Sequence, residues 1–166
     1  NKGAATSFVV EGGNFIGTIN DTADCLEISG GIYSHVFSAD CLEEKAALYK
    51  NTAGKLVVAT EQPADAEKIV AGTESNTSDI DKLFTSLQAA ADSLTGASNG
   101  FIYMYDSVDG ALTIPENTNI TLYMGYTLTA ADTAVTVNGS LTFDIKGGVI
   151  DGNVAVNAGG AVTVHD

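Results

Sequence analysis

Short apolar–polar–apolar triplets recur along the C-terminal third of this chain. Ile120-Thr121-Leu122 precedes Leu141-Thr142-Phe143 by 21 residues, and Val162-Thr163-Val164 follows after another 21. A second series runs between them, Val135-Thr136-Val137 and then Val154-Ala155-Val156, 19 residues apart. Alternation with period two predicts strands with one buried face. The intervening Asn138-Gly139, Gly147-Gly148, Asp151-Gly152 and Gly159-Gly160 are turn signals.

The N-terminal part repeats in other words. Val10-Glu11-Gly12-Gly13-Asn14-Phe15 returns as Ile28-Ser29-Gly30-Gly31-Ile32-Tyr33 at an offset of 18, which also carries Ile19 onto Phe37. Only one stretch has helical spacing. Ser78–Leu94 places Ile80, Leu83, Phe84, Leu87, Ala90, Ala91 and Leu94 on one face, with a Ser78-x-x-Asp81 capping pattern in front and Gly96 behind. Residues 61–77, rich in Glu, Ala, Asp, Ser and Thr, read as a linker. Phe101–Tyr105 and Leu112–Pro115 are further predicted strands, the second ending at a proline that cannot donate to a ladder.

Hairpins and stacked coils both use alternation and tight turns. A meander, however, does not require residue 141 to resemble residue 162. The near-constant offsets favour a solenoid, in which equivalent residues of successive coils form columns. The expected organisation is solenoid coils and a terminal hairpin over 1–60, the linker 61–77, and a capping helix followed by coils over 78–166.

The segment order resembles a family of bacterial surface proteins, mostly of gut Firmicutes. There an amphipathic helix precedes a strand, an "L-T-I-P" segment, an "I-T-L" strand and a "G-[HY]-T-L-T" coil. The matching residues are Leu83–Leu94, Phe101–Tyr105, Leu112–Pro115, Ile120–Leu122 and Gly125–Thr129, with Gly147–Gly152 similar to the coils that follow. Ile28–Ser34, Tyr49–Asn51 and Leu56–Val58 are similar to the family's "I-S-G-G-x-[FY]-S" repeat and its trailing hairpin. Tyr126 departs from the pattern, standing where a histidine is frequent. The resemblance covers about four-fifths of the chain, the linker excepted. It implies a right-handed parallel β-helix with a pectate-lyase-like cross-section, in secreted or cell-surface proteins of adhesin-like type.

Charge narrows the functional classes. The formal net charge is −14, and the chain has no arginine. An acidic surface without guanidinium groups repels nucleic acid, so no nucleic-acid partner is expected. No apolar run approaches the ~20 residues of a membrane span. Cys25 and Cys41 are candidates for one disulfide in an oxidising compartment, two buried thiols being the other reading. No metal site is expected from motif spacing. The acidic turns Asp21–Asp24 and Asp106–Asp109 offer calcium carboxylates, though in no known loop spacing.

Catalysis finds little to work with. Stacking at 21 residues brings Asp144 beside His165, with Lys146 and Asp151 near; solvated residues on a polar strand face are the simpler reading. His35 is expected in a turn. Tyr103, Tyr105, Tyr123 and Tyr126 are candidates for a glycan-stacking platform, and core or column stacking explains them equally. No catalytic residue is assigned and an enzyme is not expected, a polysaccharide lyase or hydrolase standing third behind the two readings that follow. The expectation is a module whose solenoid edges, Phe8 and Val10 at one end and Val162 and Val164 at the other, bind copies of itself head to tail. The alternative is an adhesin module that binds a glycan or host surface.

Overall fold

A computed structural model of the chain describes residues 8–17, 19, 26–34, 41–74 and 79–165. The chain is mainly β, a β-solenoid arrangement of about seven turns with one α-helix. It divides into two compact units, the first holding residues 1–69 and 76–81, the second 70–75 and 82–166.

In the first unit, β1 (Phe8–Val10) pairs in parallel with β3 (Leu26–Ile28), and β2 (Asn14–Phe15) with β4 (Gly31–Tyr33). The register sets Val10 beside Ile28 and Phe15 beside Tyr33, the 18-residue offset of the sequence repeat. A parallel bridge from Ile28 to Leu42 adds a third level to that column. The coils give way to antiparallel strands, a hairpin of β5 (Ala47–Asn51) and β6 (Leu56–Ala59), with β6 on β4 and β7 (Ala66–Lys68) on β5.

The Gly-Gly-x-aromatic repeat has a steric cause. Gly31 has a φ of 126°, a region closed to most side chains, and the Tyr33 ring lies under its Cα where a Cβ would stand about 3 Å from it. The Tyr33 hydroxyl donates to the Gly30 carbonyl at 2.8 Å, and its ring stacks on Phe15 at 4.9 Å and 6°. Each Gly pair thus seats an aromatic that stacks on its counterpart one coil away.

The second unit opens with β8 (Ala71–Gly72) and β9 (Leu83–Phe84), paired antiparallel, followed by α1 (Leu87–Ser93). Parallel coils follow: β10 (Gly100–Met104) with β11 (Val108–Asp109) and β12 (Leu112–Ile114), β13 (Asn119–Met124) with β14 (Thr127–Val137), β15 (Ser140–Ile145) with β16 (Val149–Val156), and β17 (Ala161–His165). They build a six-stranded sheet ordered β9-β8-β10-β13-β15-β17 and a four-stranded sheet in which β14 pairs β11 and β12 on one side and β16 on the other. Ile120 lies beside Leu141 and Leu141 beside Val162, while Val135 lies beside Val154, as the 21- and 19-residue repeats require. The core is the stack of inward columns, with Ile102, Leu122 and Phe143 in one and Ile114 and Val137 in another.

Turns stack as closely as strands. Asn119 N–H donates to Ala97 O, Ser140 N–H to Thr118 O and Ala161 N–H to Gly139 O, at 2.8, 2.8 and 2.9 Å. Gly139 sits where a Cβ would collide with the Thr118 and Pro115 carbonyl oxygens, so only glycine lets one turn settle on the next.

Two segments differ from expectation. The helix begins at Leu87, capped by Ser86, whose hydroxyl accepts from Ala89 N–H at 3.1 Å; Ser78 lies outside the described residues. Ile80–Lys82 forms a single 3-10 turn, and Leu83 and Phe84 are drawn into pairing with β8. Apolar side chains at helical spacing turn inward equally well from a short turn and a two-residue strand, which the pattern cannot separate. The stretch read as a linker carries β7 and β8 and buries Ile69, Val70 and Ala71.

Candidate functional site

The coils of the second unit are covered unequally at their two ends. Toward β8 and β9, α1 packs on β8, β9, β10 and β12 and buries Leu87, Ala90 and Ala91. Gln88 closes the edge of β12. Its amide oxygen accepts Thr113 N–H at 2.7 Å and its Nε2 donates to Thr113 O at 3.1 Å. One side-chain amide thereby supplies the two bonds of an absent neighbouring strand, leaving that backbone satisfied.

The other end has no such cover among the described residues. β17 is the edge of the six-stranded sheet and β16 of the four-stranded one. Their inward columns run from buried to open: Phe143 is 2% exposed and its neighbour Val164 60%, while Val137 is 0% and its neighbour Val156 50%. Val154, beside the buried Val135, is also exposed, and Val162 is half-buried over Leu141.

The first unit shows a similar edge at β1. Phe8 is 65% exposed, whereas Val10, beside Ile28 in the same sheet, is buried. Nine large hydrophobic residues are exposed among the described residues. Seven fall in the first and last coils (Phe8, Val9, Ile16, Val149, Val154, Val156, Val164), and Ile32 lies in the second. Scattered exposed apolar residues are ordinary; the exposure of Phe8, Val154, Val156 and Val164, which belong to inward columns at two coil edges, is not. Of the four edge residues expected from sequence, Phe8 and Val164 are exposed, Val162 is half-buried and Val10 is buried. Val154 and Val156 were missed, although their 19-residue match to Val135 and Val137 already placed them in an inward column.

The tyrosines divide. Tyr103 and Tyr123 are neighbours in adjacent coils and stack at 4.5 Å and 4°, with Phe101 6.2 Å from Tyr123. Tyr103 and Tyr123 thus each turn one ring face to the other, the column stacking that the sequence also allowed. The Tyr105 hydroxyl donates to Glu74 O at 3.1 Å, and Tyr126 stands exposed. Desolvation raises the Tyr105 hydroxyl above the usual phenol range, helped by Tyr103 and Glu74. The Tyr123 hydroxyl is raised in the same direction by desolvation, Tyr103 and Asp144.

The remaining candidates are plainly placed. Asp144 sits beside His165 in the outward column that continues from Tyr123, with Lys146 Nζ 4.0 Å from its carboxylate. Asp106 accepts Ser107 N–H at 2.7 Å within its turn, and Asp109 ends β11. Among the described residues no three His, Cys, Asp or Glu side chains group as metal ligands. Cys41 is buried; Cys25, His35 and Asp21–Asp24 lie outside the described residues.

A feature unseen in the sequence lies over the stacked turns. A groove of about 450 Å³ is lined by Ser98, Glu116, Asn117, Asn119, Asn138 and Ser140, among others. The Asn157 amide donates to Asn138 Oδ1 at 2.7 Å, and that of Asn119 to Ser98 O at 3.2 Å, tying each turn to the one before. Its signal in the sequence is the recurrence of polar turn residues 19 or 21 apart, Ser98, Asn119 and Ser140 in one series and Asn119, Asn138 and Asn157 in the other. No described helix is long and apolar enough to cross a membrane. No family model, curated protein or solved structure matches the chain.

Proposed function

We propose that this chain is an extracellular structural module that joins copies of itself end to end through open solenoid coils, as in a filament or surface stalk. The observation that carries this reading is the concentration of exposed apolar residues on the first and last coils, above all the uncovered Val154, Val156 and Val164. Covering a valine side chain contributes ~1.5–3 kcal/mol, and an added strand satisfies the free backbone edge of β16 and β17. A contact between two different surfaces does not close on itself, so it propagates. Electron microscopy of concentrated protein tests this: fibres or end-to-end chains are expected, and strictly single particles at high concentration sink the proposal.

A second reading, a glycan-binding adhesin module, is favoured by the groove over the turns. Its amides and hydroxyls suit a neutral polyhydroxyl chain, with Glu116 its one charged lining group. Binding to a glycan array that is lost in Asn119→Ala supports it; an array without a hit removes it.

A further inference from the structure

Resting on the glycan-binding reading, we infer that the groove over the stacked turns takes an uncharged glycan laid along the stack, and that Glu116 sets this preference by turning acidic chains away. The lining fixes the direction of the chain. It comes from successive turns, at Ser98, Glu116–Asn119, Asn138–Ser140 and Gly159. These turns sit one on another, since Asn119 N–H donates to Ala97 O, Ser140 N–H to Thr118 O and Ala161 N–H to Gly139 O. Three steps at the spacing of adjacent strands give a floor on the order of 14 Å long, enough for a short oligosaccharide. Glu116, Asn117, Asn119 and Asn138 belong to the two middle turns, each with a described turn on either side, so the site does not rest on the ends of the stack.

Asn117 carries a side chain where glycine would be the easier residue. Its φ of 56° is left-handed, and every other described position with positive φ is glycine. An amide is kept here instead, exposed and in the wall of the groove. The turn beneath it is fixed. Thr118 is 3% exposed, and its hydroxyl donates to Glu116 O at 3.1 Å and accepts Gly96 N–H at 3.0 Å. A fixed turn presents Glu116 and Asn117 with little ordering cost on binding. Amides both donate and accept, as sugar hydroxyls do, whereas an ionised Glu116 only accepts. It takes protons from hydroxyls and repels a uronate or sialyl carboxylate, and no lysine lines the groove to offset it. A ligand carboxylate about 4 Å from Glu116 lowers affinity on the order of fivefold in water.

The test starts from an array of neutral, uronate-bearing and sialylated glycans probed with the parent chain. Hits confined to neutral glycans are expected. An acidic glycan bound as strongly as its neutral counterpart overturns the selectivity and leaves glycan binding standing, whereas an array without a hit overturns both. Calorimetric titration then compares the neutral hit with its derivative oxidised to carboxylate at the primary hydroxyls. Glu116→Gln should narrow the gap between the two on the order of fivefold. Asp132→Asn makes the same change in net charge at an exposed residue of β14 outside the groove, and should leave the gap as it is. Equal narrowing in both variants would assign the preference to the overall charge of −14 and overturn the role of Glu116, as would an unchanged gap in Glu116→Gln. Asn117→Gly keeps the backbone conformation and removes the amide, so it should bind the neutral glycan roughly three- to tenfold more weakly. Binding equal to the parent would overturn the placement of the chain along these turns.

Discussion

Gly139 shows how a single residue governs the stacking of coils. A methyl group there would enter the space of the Thr118 and Pro115 carbonyl oxygens, and backbone cannot move aside as a flexible side chain can. Gly139→Ala is expected to destabilise the second unit by about 1–3 kcal/mol, the usual range for overpacking. A denaturant midpoint unchanged from the parent would show that the turns are not in close contact. The tyrosines make a pH prediction at the same scale. Tyr33 is raised by burial, and Tyr105 and Tyr123 are raised first by desolvation. The folded chain therefore holds these protons more tightly than the unfolded chain does. The associated stability is fully present below the unfolded phenol value of 10.0 and is lost as pH rises through the higher folded values. Denaturation midpoints should be level from about pH 7 to 9 and fall above about 10, with a smaller fall in Tyr105→Phe.

At the scale of elements, α1 is a plug with a specific bond to the strand beneath it. Seven residues make a helix too short to persist alone, so α1 depends on Leu87, Ala90 and Ala91 and on its Ser86 cap. Gln88→Ala removes both bonds to Thr113 and leaves the edge of β12 open. Hydrogen exchange at Thr113 N–H should accelerate, with a loss of about 1–2 kcal/mol for two hydrogen bonds to a part-buried edge. Unaltered exchange would mean that solvent already reaches that strand. The coil registers were legible in advance because stacking puts like residues side by side; Ile120, Leu141 and Val162 announce their column. The end of α1 was legible and its start was not, since Leu83 and Phe84 meet the helical pattern while pairing as strand. β7 and β8 were hidden for a related reason. Strands of two or three residues carry too few side chains for alternation to show, and their partners come from the sheet rather than the local sequence. Gln88 reads as an ordinary polar helix residue until β12 is seen beneath it.

For the whole molecule, attraction at two apolar edges works against the repulsion of bodies with a formal charge of −14. That balance predicts that end-to-end association strengthens with salt, as the Debye length shrinks from about 20–30 Å near 0.01–0.02 M to less than 10 Å above 0.15 M. An assembly held by surface ion pairs would weaken instead. Which residues form the edges was half legible. Phe8 and Val164 could be named from their places in the first and last repeats, but the exposure of Val154 and Val156 emerges only when β16 is seen as the edge of its sheet. Sedimentation velocity over a concentration series, in moderate salt, tests the central claim most directly. The parent protein should form species that grow with concentration, and Val156→Lys with Val164→Lys should sediment as a monomer with the same folded spectrum. A parent that stays monomeric throughout, or a double variant that assembles as readily as the parent, contradicts the assignment of function to the open coil edge.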